Sequence, residues 1–352
     1  MTFRHPAYCV LPPYVVEAIA RNGTPEQRNW ALRTLSLDAA IRSQRVHALI
    51  PGRLGVRPGR LAVGSTVEPQ RTVYDAAQKE RLPGRQVRSE GGPPVADVAV
   101  NQAYDGLGAT FAFYRDVLGR DSIDDAGLPL LATVHFGQDW DNAQWNGDQM
   151  VFGDGDGTLF GSFTVSLDVI GHELTHGVTQ YEAQLAYLDQ SGALNESVSD
   201  CFGSMVKQYA LRQISEQADW LIGADLVLPG FHGSALRSMK EPGTAYDDPV
   251  LGKDPQPAHM RDYVTTAQDS GGVHINSGIP NRAFALTALA LGGSSWERAG
   301  AIWYEALRDA RIRPHTRFQG FAGATLRAAQ HAFGEPSAGA VRTAWGEVGV
   351  DV

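Results

Sequence analysis

Residues 172–176 read His-Glu-Leu-Thr-His, two imidazoles four positions apart with a carboxylate beside the first. On a helix, positions i and i+4 share a face, so His172 and His176 can offer two ring nitrogens to one metal ion while Glu173 stands next to it. The surrounding stretch from Asp168 to Thr179 spaces Val169, Ile170, Leu174 and Val178 in a way that predicts a half-buried helix. Histidines buried there without partners would be costly, which favours a metal. A catalytic zinc ion takes three protein ligands and keeps a fourth position for water. Beyond His176, the turn residues Ser191 and Gly192 lead into an apolar helical run from Val198 to Tyr209, with Glu196 near its start. Glu196 can complete a site of two histidines and one glutamate. Asp200, four positions on and on the same face, can accept the remaining N–H of His172 and fix its tautomer. The alternative makes both carboxylates solvated charges at a helix start, where the dipole favours acids.

HELTH at 172–176, GALNESVSD at 192–200 and DSGGVHINSGI at 269–279 resemble the three active-site blocks of the thermolysin family of neutral metallopeptidases. The likeness runs from about Thr72 to Val352. It implies a two-lobe α+β molecule, a β-rich N-terminal lobe and a helical C-terminal lobe joined by the zinc-binding helix. It also implies a zinc-dependent endopeptidase that cuts before bulky hydrophobic residues. In such chemistry zinc acidifies a water and polarises the scissile carbonyl, and Glu173 serves as general base rather than ligand, passing the proton to the leaving amine. By resemblance, His274 helped by Tyr187 donates to the carbonyl oxygen as charge builds there, and Asp269 orients His274. Asn142 and Ala143 match edge-strand residues that bind peptide backbone by strand addition. Arg237 matches an arginine that binds a substrate carbonyl. Phe160, Val169, Ile222 and Leu236 would line the primed pocket, although simple core packing accounts for Ile222 equally well. Gln144 departs from the aromatic residue usual at its position.

The likeness breaks at the family's double calcium site. Asp168 and Asp219 match two of its carboxylates, whereas Lys207 and Ala224 stand where glutamates are usual. An ammonium cannot ligate a hard cation that wants oxygens, so Lys207 is expected to take the place of the metal and pair with Asp168, Asp219 or both. The other reading of Lys207 is an ordinary exposed helix lysine. One zinc ion and no double calcium site are therefore expected. Gly153-Asp-Gly-Asp-Gly157 fails as a calcium loop of the EF-hand type, since counting from Asp154 puts Val165 where a glutamate belongs. It reads as a tight turn between strands.

A chain of 352 residues exceeds one ordinary core, which suits two lobes plus an extension. A net charge of −9 argues against nucleic acid or anionic membrane as partners. Peptide or protein substrates are what the resemblance implies, and a monomer is expected. Cys9 and Cys201 are too few for a disulfide framework. The first residues lack the apolar core of a secretory signal, so cytoplasmic synthesis is expected, with any export by a non-standard route.

Residues 1–45 read as a short helical propeptide. One helix starts at Pro12-Pro13 and ends at Gly23, and Thr24-Pro-Glu-Gln27 forms a capping-box start for another over Trp30 to Leu35. The string from Cys9 to Tyr14 resembles the short propeptides of protealysin-like members of the family. Such a segment would restrain the protease from within, as an intramolecular inhibitor at high effective concentration. Cys9 either ligates zinc as a thiolate or is simply packed. Residues 46–60 are the expected linker, with cleavage after Arg42, after Arg45 or within that linker. Lobes are expected at 61–185 and 186–352, with helices over 103–118, 281–291, 296–311, 318–333 and 338–345. Two other functions stay open: a zinc-binding partner module without turnover, and a hydrolase of non-peptide amides or terminal residues. The presence of Glu173 and His274 disfavours the first, and Asn142 with Arg237 disfavours the second.

Overall fold

The computed structural model describes residues 9–48 and 68–352, with residues 42–48 described by backbone alone. The expected linker beyond Ala48 lies outside the described residues. Helix α1 (Pro13–Asn22) starts with proline in its first turn and gives way at Gly23, whose N–H bonds Ile19 O. Helix α2 (Pro25–Ala48) starts at the expected capping box: Thr24 N donates to Gln27 Oε1 at 2.8 Å and Gln27 N to Thr24 Oγ1 at 3.3 Å. This helix is much longer than the 30–35 stretch read from the sequence. Arg42 and Arg45 sit inside it.

The N-terminal lobe carries β1 (Arg71–Asp75), β2 (Arg85–Ser89), α3 (Val98–Leu118), β3 (Leu130–Val134), β4 (Ala143–Trp145) and β5 (Met150–Phe152). The strands form one sheet in the order β2-β1-β3-β5-β4, which leaves β4 on an edge. Side chains alternate across a strand, so the sheet has two covered faces. Met150 and Phe152 join the main core with α3, whereas Val151 between them joins a second apolar cluster with Phe136, Trp140 and the α2 residues Leu37 and Ile41. Helix α2 thus covers the outer face of the sheet. Within the Gly153–Gly157 segment Gly155 and Gly157 take positive φ, but the segment is irregular backbone and not the tight turn between strands expected from the sequence. It leads into a loop and then a helix rather than a second strand, and Asp156 Oδ1 ties that loop by accepting the N–H groups of Thr158, Leu159 and Phe160.

Helices α4 (Leu167–Tyr181) and α5 (Asp189–Leu211) connect the two lobes. Ser191 and Gly192 belong to the first turn of α5, not to a turn before it; a Cβ on Gly192 would come within 2.4 Å of Val273. The two helices cross closely at glycine. A Cβ on Gly203 would lie 2.3 Å from the Asp168 carbonyl oxygen, so only glycine admits this approach. Beyond them come the short paired strands β6 (Leu221–Ile222) and β7 (Arg237–Ser238). The C-terminal lobe is completed by α6 (Asp269–Asn276), α7 (Gly278–Leu291), α8 (Ala301–Arg308), α9 (Phe318–Phe333) and α10 (Glu335–Glu347). The helix expected at 296–311 is a π-helical turn, Trp296–Gly300, running into α8. No helix among the described residues is long and apolar enough to cross a membrane.

Candidate active site

Helix α4 buries both histidines completely and turns them to one point, with His172 Nε2 and His176 Nε2 3.0 Å apart. Glu196 on α5 faces them across the glycine crossing: its Oε2 is 3.5 Å from His172 Nε2 and its Oε1 3.5 Å from His176 Nε2. Ligands about 2.1 Å from a tetrahedral ion stand roughly 3.4 Å apart, so these separations suit one zinc ion. Glu196 Oε2 is buried with no hydrogen-bond partner, an orphan that a cation would satisfy. Ligand atoms of His172, Glu173 and His176 also lie within 4.8 Å of one another. Glu173 is nevertheless held aside, because Trp145 N on β4 donates to its Oε2 at 2.7 Å.

Each imidazole is oriented from behind. His172 Nδ1 lies 2.8 Å from Asp200 Oδ1, while His176 Nδ1 lies 2.8 Å from Asn195 Oδ1 and 3.0 Å from Ser199 Oγ. The partners differ in charge, and the rings respond accordingly. Burial lowers His172 but the carboxylates of Asp200 and Glu196 outweigh it, raising the ring to about 9. His176, backed by a neutral amide, is lowered by burial to about 3. Burial also pushes the Glu173 carboxyl up to about 8.

The comparisons with known proteins agree with this geometry. A sequence model of the thermolysin metallopeptidase catalytic domain matches residues 66–180, and one of the family's alpha-helical domain matches residues 183–350. The chain belongs to the thermolysin family of metallopeptidases. An extracellular metalloprotease of Pectobacterium carotovorum subsp. carotovorum is 52% identical over 347 residues, covering 99% of this chain and 97% of that one. Protease PrtS of Photorhabdus sp. (strain Az29) is 46% identical, over 97% of this chain and 92% of its own length. Among solved structures, the precursor of protealysin, a metalloproteinase from Serratia proteamaculans, superposes with a TM-score of 0.89 at 49% identity. It covers 98% of this chain and 100% of its own. This thermolysin-family chain is a zinc endopeptidase, made as a proenzyme.

The remaining residues expected from the thermolysin family surround residues 9–11, a single strand of chain outside any regular secondary structure. Val10 N donates to Ala143 O on the β4 edge at 3.2 Å, and Leu11 N donates to Asn142 Oδ1 at 3.1 Å. Arg237 Nη1 donates to Val10 O at 3.0 Å, and His274 Nε2 to Cys9 O at 3.1 Å. Asp269 fixes His274 twice, accepting from its backbone N at 2.8 Å and from its Nδ1 at 2.6 Å. Burial would lower His274, but Asp269 and Glu196 raise it to about 8. Tyr187 OH lies 3.1 Å from His274 Nε2 and also donates to Glu196. Phe160, Val169, Ile222 and Leu236 are all buried in the same apolar cluster as Val10 and Leu11. Cys9 is buried; what it places beside His274 is its carbonyl.

At the expected calcium position, Lys207 Nζ lies 2.8 Å from Asp168 Oδ2 and 3.1 Å from Asp219 Oδ1. Lys207 is buried, so the exposed-helix reading fails. Four contributors were missed in the sequence: Asn195, Ser199, the Trp145 N–H, and Asn281, whose Nδ2 donates to Asp200 Oδ2 at 2.8 Å. Asn195 adjoins Glu196 and Ser199 adjoins Asp200, and those adjacencies were the available signals.

Proposed function

We propose that the enzyme cuts peptide bonds on the N-terminal side of hydrophobic residues and that residues 9–11 lie in its cleft as a substrate would. The carrying observation is the set of four bonds to that strand, with the Cys9 carbonyl at His274 and Val10 directly after it. A substrate in the same direction would set its scissile carbonyl at His274 and Tyr187 and its next side chain among Phe160, Val169, Ile222 and Leu236. That wall is apolar, which supports the hydrophobic preference.

His172, His176 and Glu196 would hold zinc, which supplies Lewis acidity to polarise the carbonyl and acidify water. Glu173 takes the proton; burial raises the proton affinity of its carboxyl, which suits a group that must hold the proton and pass it on to the leaving amine. His274, charged through its pairing with Asp269, donates to the oxygen as negative charge builds. Asn142, Ala143 and Arg237 align the peptide by its backbone. Asp200 holds His172 and Arg237 together, with Arg237 bonding it through Nε and Nη2 at 2.9 and 2.8 Å. The Cys9 thiolate is a candidate zinc ligand in the latent state. Lys207 replaces the double calcium site. Two of the relatives are named as extracellular, which supports export of this one.

The test uses zinc content, chain mass and cleavage of a quenched peptide with a central Ala-Phe bond, for the native chain and Glu173→Gln. The native chain should hold one zinc, trim its N-terminus and cut the peptide, while the variant keeps zinc and loses roughly 10²–10⁴ in kcat. Equal activity of the two removes Glu173 as base.

A further inference from the structure

Asp38 is a buried acid in the middle of α2, 2% exposed, on a face otherwise turned to the apolar cluster of Leu37 and Ile41. Its Oδ1 accepts from Trp140 Nε1 at 2.9 Å and its Oδ2 from Asn142 Nδ2 at 3.0 Å. Asn142 is itself fully buried. The other end of its carboxamide, Oδ1, accepts from Ala143 N at 3.0 Å and from Leu11 N at 3.1 Å. The amide group therefore lies between two parts of the propeptide, the helix on the outer face of the sheet and the strand in the cleft. Thr34, one turn before Asp38, accepts the neighbouring Asp141 N–H at 3.1 Å, so the same helix grips the chain on the near side of Asn142 as well.

A carboxamide has a donor end and an acceptor end, and it can turn by half a revolution with little change of shape. A carboxylate only accepts. By binding Nδ2 through charge, Asp38 points Oδ1 at the strand. We infer that Asp38 is the positioning residue through which the docked α2 helix holds the Cys9–Leu11 strand in the cleft, acting across Asn142 and not by touching the strand. The inference rests on the reading that this strand occupies the substrate position. Coupling of this kind is reciprocal: strand occupancy fixes Asn142 for Asp38 and so favours the docked helix. It adds to restraint by apolar packing, because it lets the helix sense the state of the cleft.

The test is amide hydrogen exchange, read residue by residue, on the full chain with zinc and with Glu173→Gln to prevent self-cutting. Asp38→Asn nearly preserves shape but presents a donor at one of the two positions where Trp140 and Asn142 both donate. Loss of one charge-assisted bond to a buried amide should raise the exchange of the Leu11 amide roughly tenfold or more, while α2 amides around Leu37 keep their protection. Leu37→Ala serves as the comparison: it loosens the helix without changing the donors at Asn142, so α2 and Leu11 should lose protection together. The inference is overturned if Asp38→Asn leaves Leu11 unchanged, or if Leu11 is released only in proportion to α2, which is what a merely structural residue would do. If the Leu11 amide is unprotected before any change at Asp38, the reading of the strand as a cleft occupant is wrong and the inference falls with it.

Discussion

Asp168 is a fully buried carboxylate, and its charge is met by Lys207 at 2.8 Å together with Ser166 Oγ at 2.6 Å and Gly223 N at 3.2 Å. Removing one partner of a buried pair leaves the other uncompensated, which costs about 3–5 kcal/mol. Lys207→Ala should therefore lower the melting temperature of the full chain carrying Glu173→Gln by many degrees. In the unaltered site the ammonium already fills the cation's role, so millimolar calcium should leave melting unchanged. A ligand at a hundred times its Kd would add about 2.7 kcal/mol, so a rise of several degrees with calcium would contradict the replacement. This position was legible because it is a difference in charge type at a known place in a motif. The zinc-binding pentapeptide was legible because i, i+4 spacing on a helix is a geometric statement. Asn195, Ser199 and the Trp145 N–H were not, since neutral side chains and backbone donors carry no spacing signature of their own.

Two elements bring the metal groups together, and the glycine crossing sets their distance. Gly203→Ala would force a methyl group against the Asp168 carbonyl, and backbone cannot yield as a side chain tip can. Overpacking of this sort costs about 1–3 kcal/mol, and pushing α5 away from α4 should weaken zinc binding in a chelator competition. Retained affinity with unchanged stability would show that the crossing tolerates the extra carbon. A second element-level device closes the sheet at the end of β3. His135 bridges Asp154 at 2.7 Å and Asp97 at 2.9 Å, and Asp97 also caps α3 through Ala99 N. The hydrogen bond to Asp154, then that to Asp97, raise His135 to about 9 against the effect of burial. A histidine raised in the folded state adds stability in full below its unfolded value near 6.5, and loses it as pH climbs through about 9. Melting temperature should fall across that window in the full chain and fall less in His135→Gln. Helix α2 shows why an element can be misread. Its described buried face runs Gln27, Ala31, Thr34, Leu37, Asp38 and Ile41, and three polar members break the hydrophobic periodicity that marked the other helices. Gln27 closes the capping box and Thr34 and Asp38 grip the substrate edge, so capping and function obscured the signal.

At the scale of the whole molecule, the propeptide holds on at three described places: residues 9–11 in the cleft, α1 with Val15, Val16 and Ile19 in the main core, and α2 on the outer face of the sheet. Residues 9–11 make four hydrogen bonds to the cleft, and while the chain is intact the tether would hold them there at an effective concentration in the millimolar range. Cutting the chain between α2 and β1 removes the tether without removing any of these anchors. Leu37 and Ile41 stay packed on Phe136, Trp140 and Val151, and burial of each such side chain stabilises by about 1.5–3 kcal/mol. The cut fragment should then behave as a bound inhibitor that leaves by dissociation. Specific activity measured just after limited proteolysis should be low at micromolar enzyme and rise on dilution toward nanomolar, with a lag set by the off-rate. Leu37→Ala with Ile41→Ala should shorten the lag and shift the curve to higher enzyme concentration, because the helix anchor is weakened while the cleft residues are untouched. Activity that appears fully at the moment of cutting, at every concentration, would mean that the covalent tether alone keeps the propeptide in place and that the sheet face contributes nothing to latency.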